Sequence, residues 1–284
     1  MATFKSLNKS DTVDGKYSAR KRIYLESDDD LAIFKRWFFD EGEFLEFKSS
    51  NEGEGGGCTK VIGLVDKDRE MGILSFGIVD RDALMRAQEW DSFWELDDKK
   101  FVSAKPFGKY VKPLCRWEIE NYLLDPNAVH ALLSDYGSYS PDGIDKTWLI
   151  KNLIEHSMAL VPVMATNVCL HKAGKGSLPL KFVNDEKDSD TIDKKCFSHL
   201  TKNEVDCDFE ELKKRFLLFS NGEEDSDQFW CLSRIIDGKR LICRIELEFG
   251  LREDHRFNLA KLLRERGLIS VEIKALIENI KAAA

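Results

Sequence analysis

Three acidic clusters are the groups in this chain best suited to chemistry. The stretch I-Y-L-E-S-D-D-D carries Glu26 and Asp30, S-F-G-I-V-D-R-D carries Asp80 and Asp82, and C-R-W-E-I-E-N-Y-L-L carries Glu118 and Glu120. Carboxylates set at the carboxyl ends of buried parallel strands face the crevice in which such sheets bind ligands. Acids crowded there repel one another, and a hard divalent cation such as Mg2+ neutralises them. The pattern reads as a metal site for phosphodiester chemistry.

Not every acid in these clusters is a candidate. Asp28 and Asp29 fall in the first turn of an expected helix, where the helix dipole favours negative charge. Ser27 and Asp30 have the spacing of a capping box. Glu26 ends an apolar strand before that cap and is expected to point into the crevice. Two D-x-D sequences occur. Asp66 and Asp68 fit the exposed part of an amphipathic helix ending at Gly72, whereas Asp80 and Asp82 follow the most apolar strand, so the site is assigned to the second pair. Arg81 between them is expected to pair with a neighbouring acid. Glu118 and Glu120 share a face if they lie on a strand and diverge on a helix. Arg116 beside them could grip a phosphate bidentately or neutralise the two glutamates.

The elements that must hold these groups follow from periodicity. Ile23–Leu25 reads as a first strand. Leu31, Phe34 and Phe38 form one helical stripe, Phe44–Phe47 a second strand, and N-E-G-E-G-G-G (51–57) a glycine-rich loop. A helix through Val61, Ile62 and Val65 leads to Ile73–Val79, a near-continuous apolar run typical of a central parallel strand. Phe101–Ala104 is expected to be a fourth strand. This β-α-β-α-β order predicts a Rossmann-like, doubly wound α/β sheet with mostly parallel strands. Beyond Pro126 the periodicity is helical, at 127–134, 145–159, 208–219 and 256–281. The chain therefore divides into a basic segment (1–21), an α/β domain (22–126) and a mainly helical part (127–284).

Composition excludes several classes. No apolar stretch is expected to reach the roughly 20 residues of a membrane span, and the first 25 residues lack the apolar centre of a secretory signal. Seven cysteines without a close pair read as reduced thiols in a cytoplasmic protein and argue against zinc. A net charge of −8 speaks against a protein that coats nucleic acid over its whole surface. Local charge differs: Lys99, Lys100, Lys105, Lys109, Lys112 and Arg116 follow one another without an acid, and Lys16, Arg20, Lys21 and Arg22 precede Glu26. Basic runs beside carboxylate motifs suit an enzyme that draws a polyanion onto bound metal. H-K-A-G-K-G-S (171–177) lacks the spacing of a phosphate loop, and the five histidines are too scattered to ligate a metal together.

A glutamate after the first strand and a D-x-D after the third resembles the TOPRIM domain of topoisomerases, primases and OLD-type nucleases. The E-x-x-x-D of Glu26 and Asp30 is similar to the OLD-type variant, in which the extra acid serves a second metal. R-W-E-I-E-N-Y-L-L (116–124) is similar to bacterial TOPRIM-like effectors of antiphage defence, among them the small TOPRIM subunit of the PARIS system, partnered by a separate ABC-like ATPase. The resemblance spans about residues 20–126. In that family a late lysine completes the site, and I-I-D-G-K-R-L-I places Lys239 in that role, where it would stabilise charge on phosphate oxygens. The mechanism implied is two-metal hydrolysis. Glu26, Asp80 and Asp82 would hold one Mg2+ or Mn2+, and Asp30 with Glu118 or Glu120 the second; Arg116, Lys112 and Lys109 would meet the substrate. The resemblance further implies a toxic nuclease that cuts RNA (transfer RNA included) or DNA, is restrained by the ATPase and is homodimeric when active. The competing expectation is an inert TOPRIM-like scaffold subunit.

Overall fold

The computed structural model describes residues 20–51, 57–136, 145–251 and 254–283. Most of the glycine-rich loop and of the basic N-terminal segment lie outside them. The chain forms two compact units. One comprises the chain up to Asp80, Lys105–Pro113 and the chain from Ile269; the other comprises Arg81–Ala104 and Leu114–Leu268. The units therefore interleave along the sequence instead of dividing at residue 126.

The first unit holds a parallel four-stranded sheet in the order β2-β1-β3-β4: β1 (Lys21–Leu25), β2 (Leu45–Ser49), β3 (Ser75–Val79) and β4 (Val111–Pro113). Helix α1 (Asp28–Trp37) connects β1 to β2, and α2 (Cys58–Glu70) connects β2 to β3. Alternation along β1 sends the two helices to opposite faces. Arg22 and Tyr24 reach Asp68 of α2. Ile23 lies in register with Phe47, whose ring meets Phe34 of α1. Gly77 lets α2 lie close to β3, because a Cβ there would stand 2.6 Å from a Val61 methyl. The mixed α/β architecture with an all-parallel sheet follows the sequence reading.

One strand was misplaced by periodicity. Asp98–Ala104 is a helix, and the fourth strand is Val111–Pro113. Asp97 caps that helix by accepting the Lys99 and Lys100 N–H groups. Phe101 alone is buried while Val102, Ser103 and Ala104 are exposed, a one-sided pattern that a four-residue window cannot tell from a strand end.

The second unit is helical: α3 (Asp82–Arg86), α4 (Trp90–Phe93), α5 (Asp98–Ala104), α6 (Ile119–Leu123), α7 (Pro126–Tyr136), α8 (Lys146–Lys172), α9 (Ser189–Lys202), α10 (Phe209–Leu217), α11 (Asp225–Leu232), α12 (Gly238–Phe249) and α13 (Arg256–Glu265). The hub is α8, against which α7, α9, α10, α11 and α12 pack. At 27 residues it corrects the expectation that no segment is long and apolar enough to cross a membrane; 89% of its most apolar window is buried inside the protein, as in a core helix. Cys169 at its end bonds to Cys207, which corrects the expectation of seven reduced thiols. The last helix, α14 (Val271–Ala282), returns to the sheet unit. There Lys21 Nζ donates to the Ile280 and Lys281 carbonyls at 3.2 and 2.5 Å, and to that of Ala283.

Candidate metal centre

In the order β2-β1-β3-β4, the chain leaves β1 first toward β2 and later crosses back to β3. The carboxyl ends of β1 and β3 therefore flank the point where strand order reverses, which is where open parallel sheets bind ligands. Glu26 follows the last residue of β1 and Asp80 the last of β3. The Asp80 N–H donates to Glu26 Oε1 at 2.9 Å. Ser50 fixes the Glu26 backbone, its hydroxyl donating to the Glu26 carbonyl at 2.8 Å. The capping box begins at the next residue: Ser27 N–H donates to Asp30 Oδ2 at 3.0 Å and Asp30 N–H to Ser27 Oγ at 3.1 Å. Asp30, the third residue of the helix that Ser27 caps, is buried.

Asp82 stands two peptide links beyond Asp80 and opens α3. Glu26, Asp80 and Asp82 each offer a carboxylate oxygen, all within 4.8 Å of one another. Among the described residues no other three acids, histidines or cysteines meet that spacing. Asp82 Oδ2 accepts from Arg86 at 2.5 Å, while Asp82 Oδ1 is buried without a hydrogen-bond partner. Burial pushes the Asp82 carboxyl above its usual range; the Glu118 charge adds to this and Arg86 opposes it. Three carboxylates, one with a buried acceptor lacking a donor, form a set that a hard cation fits.

Within the helical unit a second polar cluster forms around Lys239. Glu118 caps α6 in a capping box with Asn121. Its carboxylate accepts the Lys239 N–H at 2.7 Å and the ammonium at 2.6 Å. Glu120 lies 3.5 Å from the same ammonium and accepts from Arg256 at 3.0 Å. Both glutamates thus meet Lys239 although they begin a helix. The approach requires Gly238, since a Cβ there would stand 2.7 to 2.9 Å from Asn121 atoms. Asn121 also donates to the Ile236 carbonyl at 2.9 Å. Burial, with the Glu118 charge, pushes Asp237 up to about 7.

The basic candidates separate. Arg116 is stacked between Tyr122 and Trp230, its guanidinium carbon 4.6 and 4.0 Å from the ring centres. Lys109 is exposed beside Tyr110. Half-buried Lys112 is held below the usual lysine range by burial and by Lys105 and Lys109. Two expectations are overturned. Among the described residues Arg81 pairs with no acid: fully buried, it donates to the Cys115, Phe93 and Glu95 carbonyls, and burial lowers it to about 10. Asp68 is not a surface residue; it is buried against Arg22 and Tyr24, while Asp66 is exposed. Arg22 and Lys21 of the N-terminal basic run are likewise committed to the fold. Arg256, Asn121 and Asp237 escaped sequence reading. The E-I-E-N spacing is a capping signal that could have found Asn121; Arg256, 136 residues from Glu120, has no local signal.

No model of a known protein family matches the chain, and no curated protein matches it.

Proposed function

We propose that this protein is a metal-dependent nuclease of the TOPRIM/OLD type. The observation that carries the proposal is the convergence of Glu26, Asp80 and Asp82 where strand order reverses. Glu26, Asp80 and Asp82 would hold Mg2+ or Mn2+, whereas the expected second-ion residues are engaged otherwise, Asp30 in its capping box and Glu118 and Glu120 by Lys239 and Arg256. Bound there, the metal would supply Lewis-acid stabilisation of phosphate oxygens. The chain's own part is positional. Asp80 N–H orients the Glu26 carboxylate, Ser50 holds the Glu26 backbone, and Lys239, aligned by Glu118, supplies a cation for charge growing on phosphate oxygens. Exposed Lys109 with Lys112 and Lys105 offers a basic strip for a polyanionic strand.

In keeping with the sequence resemblance, the activity is that of a cytoplasmic antiphage effector cutting RNA, transfer RNA included, or DNA. It is restrained by an ABC-like ATPase and acts as a homodimer.

Purified protein incubated with plasmid DNA and with total RNA, with and without Mg2+, tests the reading. Glu26→Ala should retain the circular dichroism spectrum, lose Mn2+ binding by calorimetry and cut at least about 100-fold more slowly. A folded Glu26→Ala protein that cuts at the wild-type rate would refute the assignment. Mn2+ binding without cleavage of either substrate would favour the inert scaffold.

A further inference from the structure

A cavity of about 850 Å3 opens in the helical unit beside Lys239. One wall is a single face of α12, where Lys239, Ile242, Cys243, Glu246 and Leu247 recur at helical spacing. Leu180, Asn184 and Leu251 line it from the flanking loops. Leu180 and Leu247 are 44% and 59% exposed, large apolar side chains that the fold leaves uncovered at the cavity. Lys239 and Arg256, the two cations that hold Glu118 and Glu120, also line it. Asn184 lines it as well; its side chain is buried, and its Oδ1 has no hydrogen-bond partner.

We infer that this cavity takes one unstacked nucleobase of the substrate strand, with the attached phosphate toward Lys239 and Arg256. The inference rests on the nuclease reading and names how that site would hold its substrate. A base has flat apolar faces and a polar edge. Leu180, Ile242, Leu247 and Leu251 suit the faces, and the Asn184 amide, after a turn about its last torsion, suits the edge. An acceptor left without a donor is costly, and a base N–H relieves it. Lys239 to Leu247 covers about 12 Å of helix, room for a phosphate and the base joined to it. Of the three acids lining the cavity, Asp185 is exposed to solvent, Asp254 is paired with Arg256 at 2.6 Å, and Glu246 accepts the His255 N–H, so an anion can still approach the Lys239 end. Only a base free of its stack can enter, so the site selects single-stranded or flipped-out nucleotides.

The test uses the full-length chain in Ca2+ with short single-stranded oligonucleotides carrying one 2-aminopurine, which brightens when unstacked. Binding is followed by anisotropy and base environment by emission. Wild type should bind and raise the emission several-fold. Leu247→Glu, at an exposed position, and Asn184→Leu, similar in size, should each bind about tenfold more weakly. Leu247→Glu should also abolish the rise. Asp66→Ala, at an exposed position outside both sites, should bind and brighten the probe as wild type does. Absent binding, binding without brightening, or brightening that survives Leu247→Glu overturns the inference. A bright probe in a protein that cuts nothing in Mg2+ refutes the nuclease reading instead and leaves the base site standing.

Discussion

Asp66 and Asp68 share one D-x-D and have opposite roles. Two residues apart on α2 they point about 200° away from each other, so one faces water and the other the sheet. Asp68 accepts from Arg22 at 3.2 Å and from the Tyr24 hydroxyl at 2.8 Å. Removing it takes from a buried guanidinium one of its acidic partners, leaving the pair with Glu46. Asp68→Ala should therefore cost about 3–5 kcal/mol in urea unfolding, against less than about 0.5 kcal/mol for Asp66→Ala. Equal effects would mean the Arg22 pair is solvated. The sequence indicated which D-x-D lies at the crevice, because Asp80 follows a strand buried along its whole length. It could not show that Asp68 has a partner 46 positions upstream, since nothing near Asp68 encodes it.

Among the elements, the approach of α12 to α6 sets Lys239. Gly238 sits against Asn121 with no room for a methyl group. Gly238→Ala should destabilise the protein by about 1–3 kcal/mol through overpacking. It should also separate Lys239 from Glu118, lowering kcat while Mn2+ binding at Glu26 and Asp80 persists. A variant with wild-type kcat would show that the contact serves packing alone. The turn into α12 was legible in D-G-K-R, where Asp237 accepts the Arg240 N–H. Its docking on α6 was not legible, because close approach of two helices leaves only a glycine as its mark. The misplaced fourth strand has a related cause: a short apolar run fits either period until capping by Asp97 decides it.

At the scale of the whole molecule, acid should loosen the helical unit first at His156. His156 Nδ1 accepts from Arg244 at 3.2 Å, so its proton sits on Nε2, 2.6 Å from Glu248. Burial, then the Arg244 charge, holds His156 below its usual value. Glu248 is also held low: burial opposes this, but the His156 charge and hydrogen bonds from Asn152 and His156 outweigh it. Both groups bind fewer protons folded than unfolded, so stability rises with pH. The His156 contribution is complete above about pH 6.5 and is lost as the pH falls below that value. His156→Gln should flatten the urea midpoint between about pH 6.5 and 5; an unchanged slope would assign the acid sensitivity elsewhere. The parallel sheet was legible from alternating elements, but not the interleaving of the two units. A segment such as 105–113 carries no local sign that it rejoins the sheet.

The Lys21 ammonium on the closing carbonyls of α14 has a consequence for birth on the ribosome. The sheet unit's first strand must wait for a helix ending at Ala282 before its ammonium finds those acceptors. A nascent chain already carrying Glu26 and Asp80 would thus emerge without that clasp, and β1 would gain its last anchor only after Ile280, 259 positions further along, had left the ribosome.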